Sequence, residues 1–330
     1  MAMKAFVSRS YGPPDVLKFT EIPVPVPRDD EVLVRIRACS VNPYDWHNMR
    51  GEPYLARLMP GGLALRAPKI TILGADISGQ VEAVGKDVTE FRPGDDVFAV
   101  ISGGGFAEYV CVRESDLVPK PENLSYEEAA AVPMAANTAL LALRDEGHVQ
   151  AGQRVLVNGA SGGVGTFAVQ LARALGAEVT GVCGAGNADL VHSLGATRVI
   201  DYTTRDFTRE TRRYDLLVDI AGSRPVSVSR RVLRPKGAYV VVGGPPGRWV
   251  QPMGHVLSAL ATSRFVGQRI SVADALSCPS PKRNLLTLSA FLNDRRVIPV
   301  IDRRYPFEEI PGAIAYLEKG HAPGKVVISV

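Results

Sequence analysis

Val155-Leu-Val-Asn-Gly-Ala-Ser-Gly-Gly-Val-Gly-Thr-Phe167 is the stretch on which the fold turns. A short apolar run, Arg154–Asn158, meets a cluster of glycines and passes into Gly163–Leu175, whose apolar spacing is helical and which stops at Gly176. Glycines placed between a strand and a helix permit a tight turn and let the backbone approach a pyrophosphate. The free amides and the positive end of the following helix then face the anion. The same residues also read as a structural left-handed corner. The strand before and the helix after favour dinucleotide binding.

Working outward, the downstream sequence keeps one grammar. Glu178–Cys183 reads as a strand, Ala188–Leu194 as a helix, and Arg198–Asp201 as a third strand. Asp215–Ile220, a helix Val226–Leu233 and a strand Ala238–Val242 follow. Strands alternating with helices at this spacing predict a parallel sheet covered on both faces. Past Gly247 the pattern loosens into a strand Phe265–Ile270, helices near Arg283–Asn293 and Glu308–Glu318, and a last strand Lys325–Val330.

Upstream, the first third is β-like: Val32–Arg37, Gly79–Gly85, Val97–Ile101 and Ala107–Val112, with a turn at Pro93–Asp95. Pro23–Asp30 is a proline-rich connection, and Ser125-Tyr-Glu-Glu starts a helix with a cap residue and an acidic first turn. A chain of 330 residues suggests two domains. A net charge of +4 without a basic run gives no reason to expect nucleic acid or a membrane as partner. No apolar run reaches the roughly 20 residues of a membrane helix, and Cys39, Cys111, Cys183 and Cys278 are dispersed. Together these predict a soluble, cytoplasmic protein.

The chain resembles the medium-chain dehydrogenase/reductase superfamily, and within it the quinone oxidoreductase branch with its reticulon-interacting mitochondrial relatives. The matching motifs run along nearly the whole length: Val41-Asn-Pro-Tyr-Asp, Leu73-Gly-Ala-Asp-Ile-Ser-Gly, Phe91-Arg-Pro-Gly-Asp-Asp-Val, Gly105-Phe-Ala-Glu-Tyr, Val199-Ile-Asp-Tyr, Gly324-Lys-Val-Val-Ile and the glycine turn. The resemblance implies an α/β fold in which a doubly wound Rossmann sheet is inserted in a mostly β, GroES-like catalytic domain. The expected spans are 1–120 for the catalytic domain, 121–259 for the dinucleotide-binding domain and 260–330 for the return, with a homodimer as the assembly. It implies cofactor contacts from Ser161, Gly162, Gly163, Val164, Gly184, Asn187, Tyr202, Val242, Gly243, His321 and Lys325. Asn42 and Tyr54, in the segment that faces the nicotinamide in the family, are the candidate catalytic hydrogen-bond donors. Asn42 before Pro43 also reads as a turn residue. Tyr54 stands in Arg50-Gly-Glu-Pro-Tyr, one residue longer than the family's Arg-Gly-x-Tyr.

Zinc-dependent members carry a cysteine near Asn42 and Gly-His-Glu where this chain has Gly74-Ala-Asp, so no metal is expected. His47 beside Asp45 reads as a packing residue. Without a metal or a Tyr-x-x-x-Lys pair, an unactivated ketone is a poor substrate. A quinone or α,β-unsaturated carbonyl asks for less, because its reduced anion is delocalised. The second strand ends Val182-Cys-Gly-Ala-Gly-Asn with no acid to hold ribose hydroxyls, which favours NADPH over NADH. The family's usual cation there is also missing. Two other readings stay open: a biosynthetic enoyl reductase, and a dinucleotide-binding structural or redox-sensing protein.

Overall fold

A computed structural model describes residues 1–59, 62–245, 247–275, 278 and 280–330. The chain divides into two compact units: Met1–Met134 with Pro279–Asn293 and Pro299–Val330, and Ala135–Cys278 with Asp294–Ile298. The boundaries expected at 120/121 and 259/260 lie elsewhere in this division. Residues 121–134 pack on the first unit's strands, and 260–275 stays with the parallel sheet of the second.

In the first unit, β1 (Ala2–Val7) and β2 (Lys18–Pro23) form an antiparallel pair. A larger sheet is built on β3 (Glu31–Val41), β4 (Asp76–Val84), β5 (Asp96–Val100), β6 (Tyr109–Arg113) and β7 (Val118–Pro119). Helix α1 (Pro43–Arg50) follows β3 directly. Short α2 (Tyr126–Ala130) begins as its sequence predicts: Ser125 Oγ accepts the Glu128 N–H at 3.1 Å, and the Glu128 carboxylate accepts the Ser125 N–H at 2.8 Å. Helix α3 (Pro133–Leu140) comes next.

The second unit runs β8 (Arg154–Asn158), α4 (Gly163–Ala174), β9 (Glu178–Cys183), α5 (Ala188–Ser193), β10 (Arg198–Asp201) and β11 (Tyr214–Asp219). Then come α6 (Val226–Ser229), β12 (Leu233–Val241), α7 (Met253–Ser263) and β13 (Arg269–Val272). All pairings in this sheet are parallel, in the order β10-β9-β8-β11-β12-β13. The strand order reverses direction at β8, so the topological switch point lies at its carboxyl end, beside the glycine turn. Leu156, Val182, Ile200, Leu217, Tyr239 and Val241 pack a core on this sheet, each aliphatic side chain contributing roughly 1.5–3 kcal/mol.

The chain then returns to the first unit through α8 (Pro281–Asn293), β14 (Ile301–Pro306), α9 (Ile310–Leu317) and β15 (Lys325–Ser329). The first unit's main sheet has the order β14-β15-β3-β4-β5-β7, with β6 also on β3. β15 pairs antiparallel with β3, which sets Val326 opposite Val41. That register brings the C-terminal strand beside Asn42.

Three expectations moved. The helix predicted over Val226–Leu233 ends at Ser229 and becomes a 3₁₀ turn, because β12 already starts at Leu233. The strand predicted over Phe265–Ile270 lies at Arg269–Val272, with Phe265 exposed. Helix α7 fills a stretch where no element was expected.

Candidate active site

The glycine turn forms as its sequence requires. Gly159 adopts φ +92°, and Gly162 caps α4 with φ −78°. A Cβ on Gly165 would lie 2.0 Å from the Gly159 carbonyl oxygen, so helix and turn touch through backbone alone. A Cβ on Gly162 would meet nothing closer than that oxygen, at 3.7 Å. The cap therefore opens outward, with no capping side chain and no acid in the first turn. The first backbone bond made inside the helix is Thr166 N–H to Gly162, at 2.9 Å, which leaves the amides of Gly163 and Val164 for an anion.

The expected cofactor residues of the second unit lie on the loops that follow β8, β9, β10 and β12. Asn187 Nδ2 donates to Ser161 Oγ at 3.3 Å, linking the loop after β9 to the turn after β8. Tyr202 donates its N–H to Cys183 at 3.1 Å, and its ring lies 3.7 Å from where a Gly184 Cβ would stand. Val242 and Gly243 sit on the other side of β8, their N–H groups donating to the Asp219 carbonyl at 2.9 and 3.3 Å. One residue escaped the sequence reading: Asp201, in register with Cys183 at the end of β10. The Thr203 N–H holds its carboxyl below the usual range, helped by the Thr203 hydroxyl. The familiar signal is an acid after the second strand, whereas this one closes the third.

In the first unit, Asn42 caps α1, its N–H donating to Asp45 at 2.8 Å. The other Asp45 oxygen accepts the Gly74 N–H at 3.0 Å. Asp45 is buried, and that burial pushes its carboxyl up to about 7 against those two backbone donors, with Asp76 adding to the rise. Asp76 accepts from Ser40 Oγ (2.7 Å), Asn42 Nδ2 (3.0 Å), Lys325 Nζ (3.1 Å) and the Met134 N–H (2.8 Å). Lys325 Nζ also donates to Asn42 Oδ1 at 2.5 Å.

This network engages two of the expected site residues. Lys325, expected at the cofactor, is buried and directs two of its three donors to Asp76 and Asn42, which gives it a structural role in the first unit. Asn42 is buried, with its amide oxygen accepting from Lys325 and one amide hydrogen going to Asp76, so the network leaves it a single N–H for any further partner. The reason is energetic: a buried ammonium and carboxylate demand their hydrogen-bond partners, and Asn42 is one of them. The turn reading of Asn42 is the one this geometry favours.

Tyr54 opens a 3₁₀ turn, Tyr54–Leu58, and is half-buried. The Arg57 guanidinium lies 4.9 Å from its ring centroid and 4.3 Å from that of Tyr11. Arg57 donates to the carbonyls of Gly51 (2.7 Å) and Arg50 (3.1 Å), the last of α1, and so fixes the loop that holds Tyr54. His47 packs as expected, stacked on Trp46 with Nδ1 2.9 Å from the Glu52 carbonyl. His321 is exposed and contacts the Lys319 carbonyl at 2.6 Å, within its own turn.

Comparison with known proteins matches the same architecture. Residues 28–122 match the alcohol dehydrogenase GroES-like domain, and 194–328 the zinc-binding dehydrogenase family. The mouse (Mus musculus) mitochondrial NAD(P)H oxidoreductase RTN4IP1 is 33% identical, covering 99% of this chain and 89% of its own. The 2-methylene-furan-3-one reductase of Solanum lycopersicum is 34% identical, covering 99% and 79%. The structure of the quinone oxidoreductase from Coxiella burnetii aligns over 100% of both chains with a TM-score of 0.85 and 29% identity. The chain belongs to the medium-chain dehydrogenase/reductase superfamily, in its quinone oxidoreductase branch. Its two units are accordingly a GroES-like unit and a Rossmann unit.

The zinc implied by one family description does not fit these residues. An amide at Asn42 and a methyl at Ala75 stand where zinc-binding members offer thiolate and imidazole, and the Asp76 oxygens are already occupied. Among the described residues no group of three His, Cys, Asp or Glu side chains is placed to hold a metal ion. The nicotinamide dinucleotide expected of a superfamily member does fit, because the glycine cradle is open, uncharged and bounded by polar side chains.

Proposed function

We propose that this chain is a zinc-independent, NADPH-dependent reductase of quinones or α,β-unsaturated carbonyls. The observation that supports it best is the open glycine cap of α4 at the switch point of a parallel sheet, combined with a GroES-like unit whose metal-ligand positions hold Asn42 and Ala75. The relatives point the same way, since a 2-methylene-furan-3-one is itself an enone and another relative's name specifies a quinone. When bound, the reduced nicotinamide supplies a hydride to the conjugated end of the acceptor. The amides of Gly163 and Val164 would hold the pyrophosphate, with Ser161, Gly184, Asn187 and Tyr202 around the adenosine side and Val242 and Gly243 beyond β8. The Tyr54 hydroxyl is the candidate donor to the substrate oxygen as negative charge builds there, its loop stiffened by Arg57. The four cysteines stand as thiols and not as disulfides, which suits the reducing cytoplasm.

The preference for NADPH rests on the absence of an acid within Gly184–Asn187 and on the polar groups of Tyr202 and Asn187, and the Asp201 carboxylate at the end of the neighbouring strand works against it. Because no cation stands in that loop, discrimination over NADH should stay within about tenfold, about 1.4 kcal/mol. A panel of quinones and enones assayed with both nicotinamides tests the reading. Turnover of at least one acceptor with NADPH is expected. Cofactor binding without oxidation by any acceptor would return the chain to the redox-sensing class.

A further inference from the structure

Given the dinucleotide reading above, a ligand whose pyrophosphate lies over the glycine turn spreads its two halves to either side of β8. Gly184, Asn187 and Tyr202 occupy the side of β9 and β10. The nicotinamide half falls over the carboxyl ends of β11 and β12, and there the loops are gathered around one buried carboxylate. Asp219, the last residue of β11, is fully buried. Its Oδ1 accepts Asn158 Nδ2 at 2.7 Å and the Gly222 N–H at 3.0 Å. Its Oδ2 accepts the Tyr239 hydroxyl and lies 3.4 Å from His255 Nε2. Burial, reinforced by the Asp219 charge, pushes the Tyr239 phenol well above its ordinary range, so it remains a donor.

The same residue works through its backbone, where its carbonyl accepts Val242 and Gly243. Asn158 completes the tie, accepting the Ile220 N–H at 3.0 Å and donating from Nδ2 to Ser223 Oγ at 3.3 Å. Gly222, at φ +56°, would bring a Cβ within 2.4 Å of Gly244 Cα, so the loops after β11 and β12 meet backbone to backbone. Strand ends can be closed by main-chain bonds alone. A buried charge that holds two loops and the residue before the glycine turn does more than close a strand.

We propose that Asp219 is a positioning residue for the nicotinamide half of the dinucleotide, fixing loops 220–223 and 242–244 so that their backbone groups meet that half. In Asp219→Asn one carboxylate oxygen becomes an amide that confronts donors instead of accepting from them. Tyr239→Phe removes a single donor and leaves the carboxylate, which keeps the test available if the first variant does not fold. The probes are NADPH and adenosine 2′,5′-bisphosphate, which lacks the nicotinamide half, titrated by calorimetry alongside melting temperatures.

For Asp219→Asn the NADPH dissociation constant should rise about tenfold or more, the size expected for a hydrogen bond to a charged group. The bisphosphate should bind as to the parent. Tyr239→Phe should move NADPH in the same direction by a smaller factor. Unchanged NADPH affinity in the folded variants, or equal weakening of both probes, would overturn the assignment. A parent that binds the bisphosphate and NADPH equally also refutes it, since the nicotinamide half would then gain nothing from these loops. A parent that binds neither defeats the underlying cofactor reading instead.

Discussion

Asp45 is the residue whose environment makes the plainest demand. Burial lifts its carboxyl from 3.8 to about 7, and the Asn42 and Gly74 amides recover only part of the lost hydration. A folded value above the unfolded one means that the native state keeps a proton the unfolded chain has released. The stability this contributes is full below about pH 4 and is lost as pH rises through about 7, each tenfold gain in proton affinity being worth about 1.4 kcal/mol. Urea denaturation at pH 5 and pH 8 should therefore show the parent weakening toward the alkaline side, and Asp45→Asn weakening less. Equal losses in the two proteins would mean that Asp45 is solvated in solution. The roles of Asn42 and Lys325 were not legible at this scale. They meet across 283 positions of sequence, and only the β15–β3 register brings them together. A lysine in a motif reads as a cation for a phosphate until a buried aspartate is found beside it.

At the scale of elements, the sequence was most legible where two signals agreed. β8, β9 and β10 have the predicted bounds, since each is a short apolar run set between a glycine or a turn and a helix. Helix α7 was missed because Leu257 and Leu260 lie on its exposed side, which blurs the contrast between faces on which a periodicity argument depends. Helix α4 is the element that links fold to function, and it can be tested without being broken. Gly162 has an ordinary φ of −78° and open space at its Cβ, so Gly162→Val should fold. Its two methyl groups would occupy the mouth of the cradle and stop a pyrophosphate reaching the amides of Gly163 and Val164. NADPH affinity should fall at least about a hundredfold, near 2.7 kcal/mol, with melting temperature close to that of the parent. A folded variant that binds NADPH like the parent would make the turn a structural corner.

For the whole molecule, the sheet of the second unit has two edge strands, β10 and β13, and the second lies beside an apolar surface. Among the described residues β13 pairs only with β12, and the chain segment leading into it presents Phe265 at 86% exposure, with Leu257 and Leu260 on the adjoining helix at 53% and 46%. An open parallel-sheet edge beside an apolar surface is a liability for a free monomer, and natural proteins cover such edges. A second copy does so economically, because a two-fold axis brings the same patch against itself and joins edge to edge. This supports the homodimer that the family resemblance implies. Phe265→Asp would set two carboxylates against each other near that axis while leaving a single unit's core untouched. Light scattering after size exclusion should then give about 71 kDa for the parent, twice the 35.4 kDa chain, and one chain's mass for the variant. A parent that runs as a monomer at micromolar concentration would leave the exposed phenylalanine to some other partner. A variant that stays dimeric would move the interface away from β13.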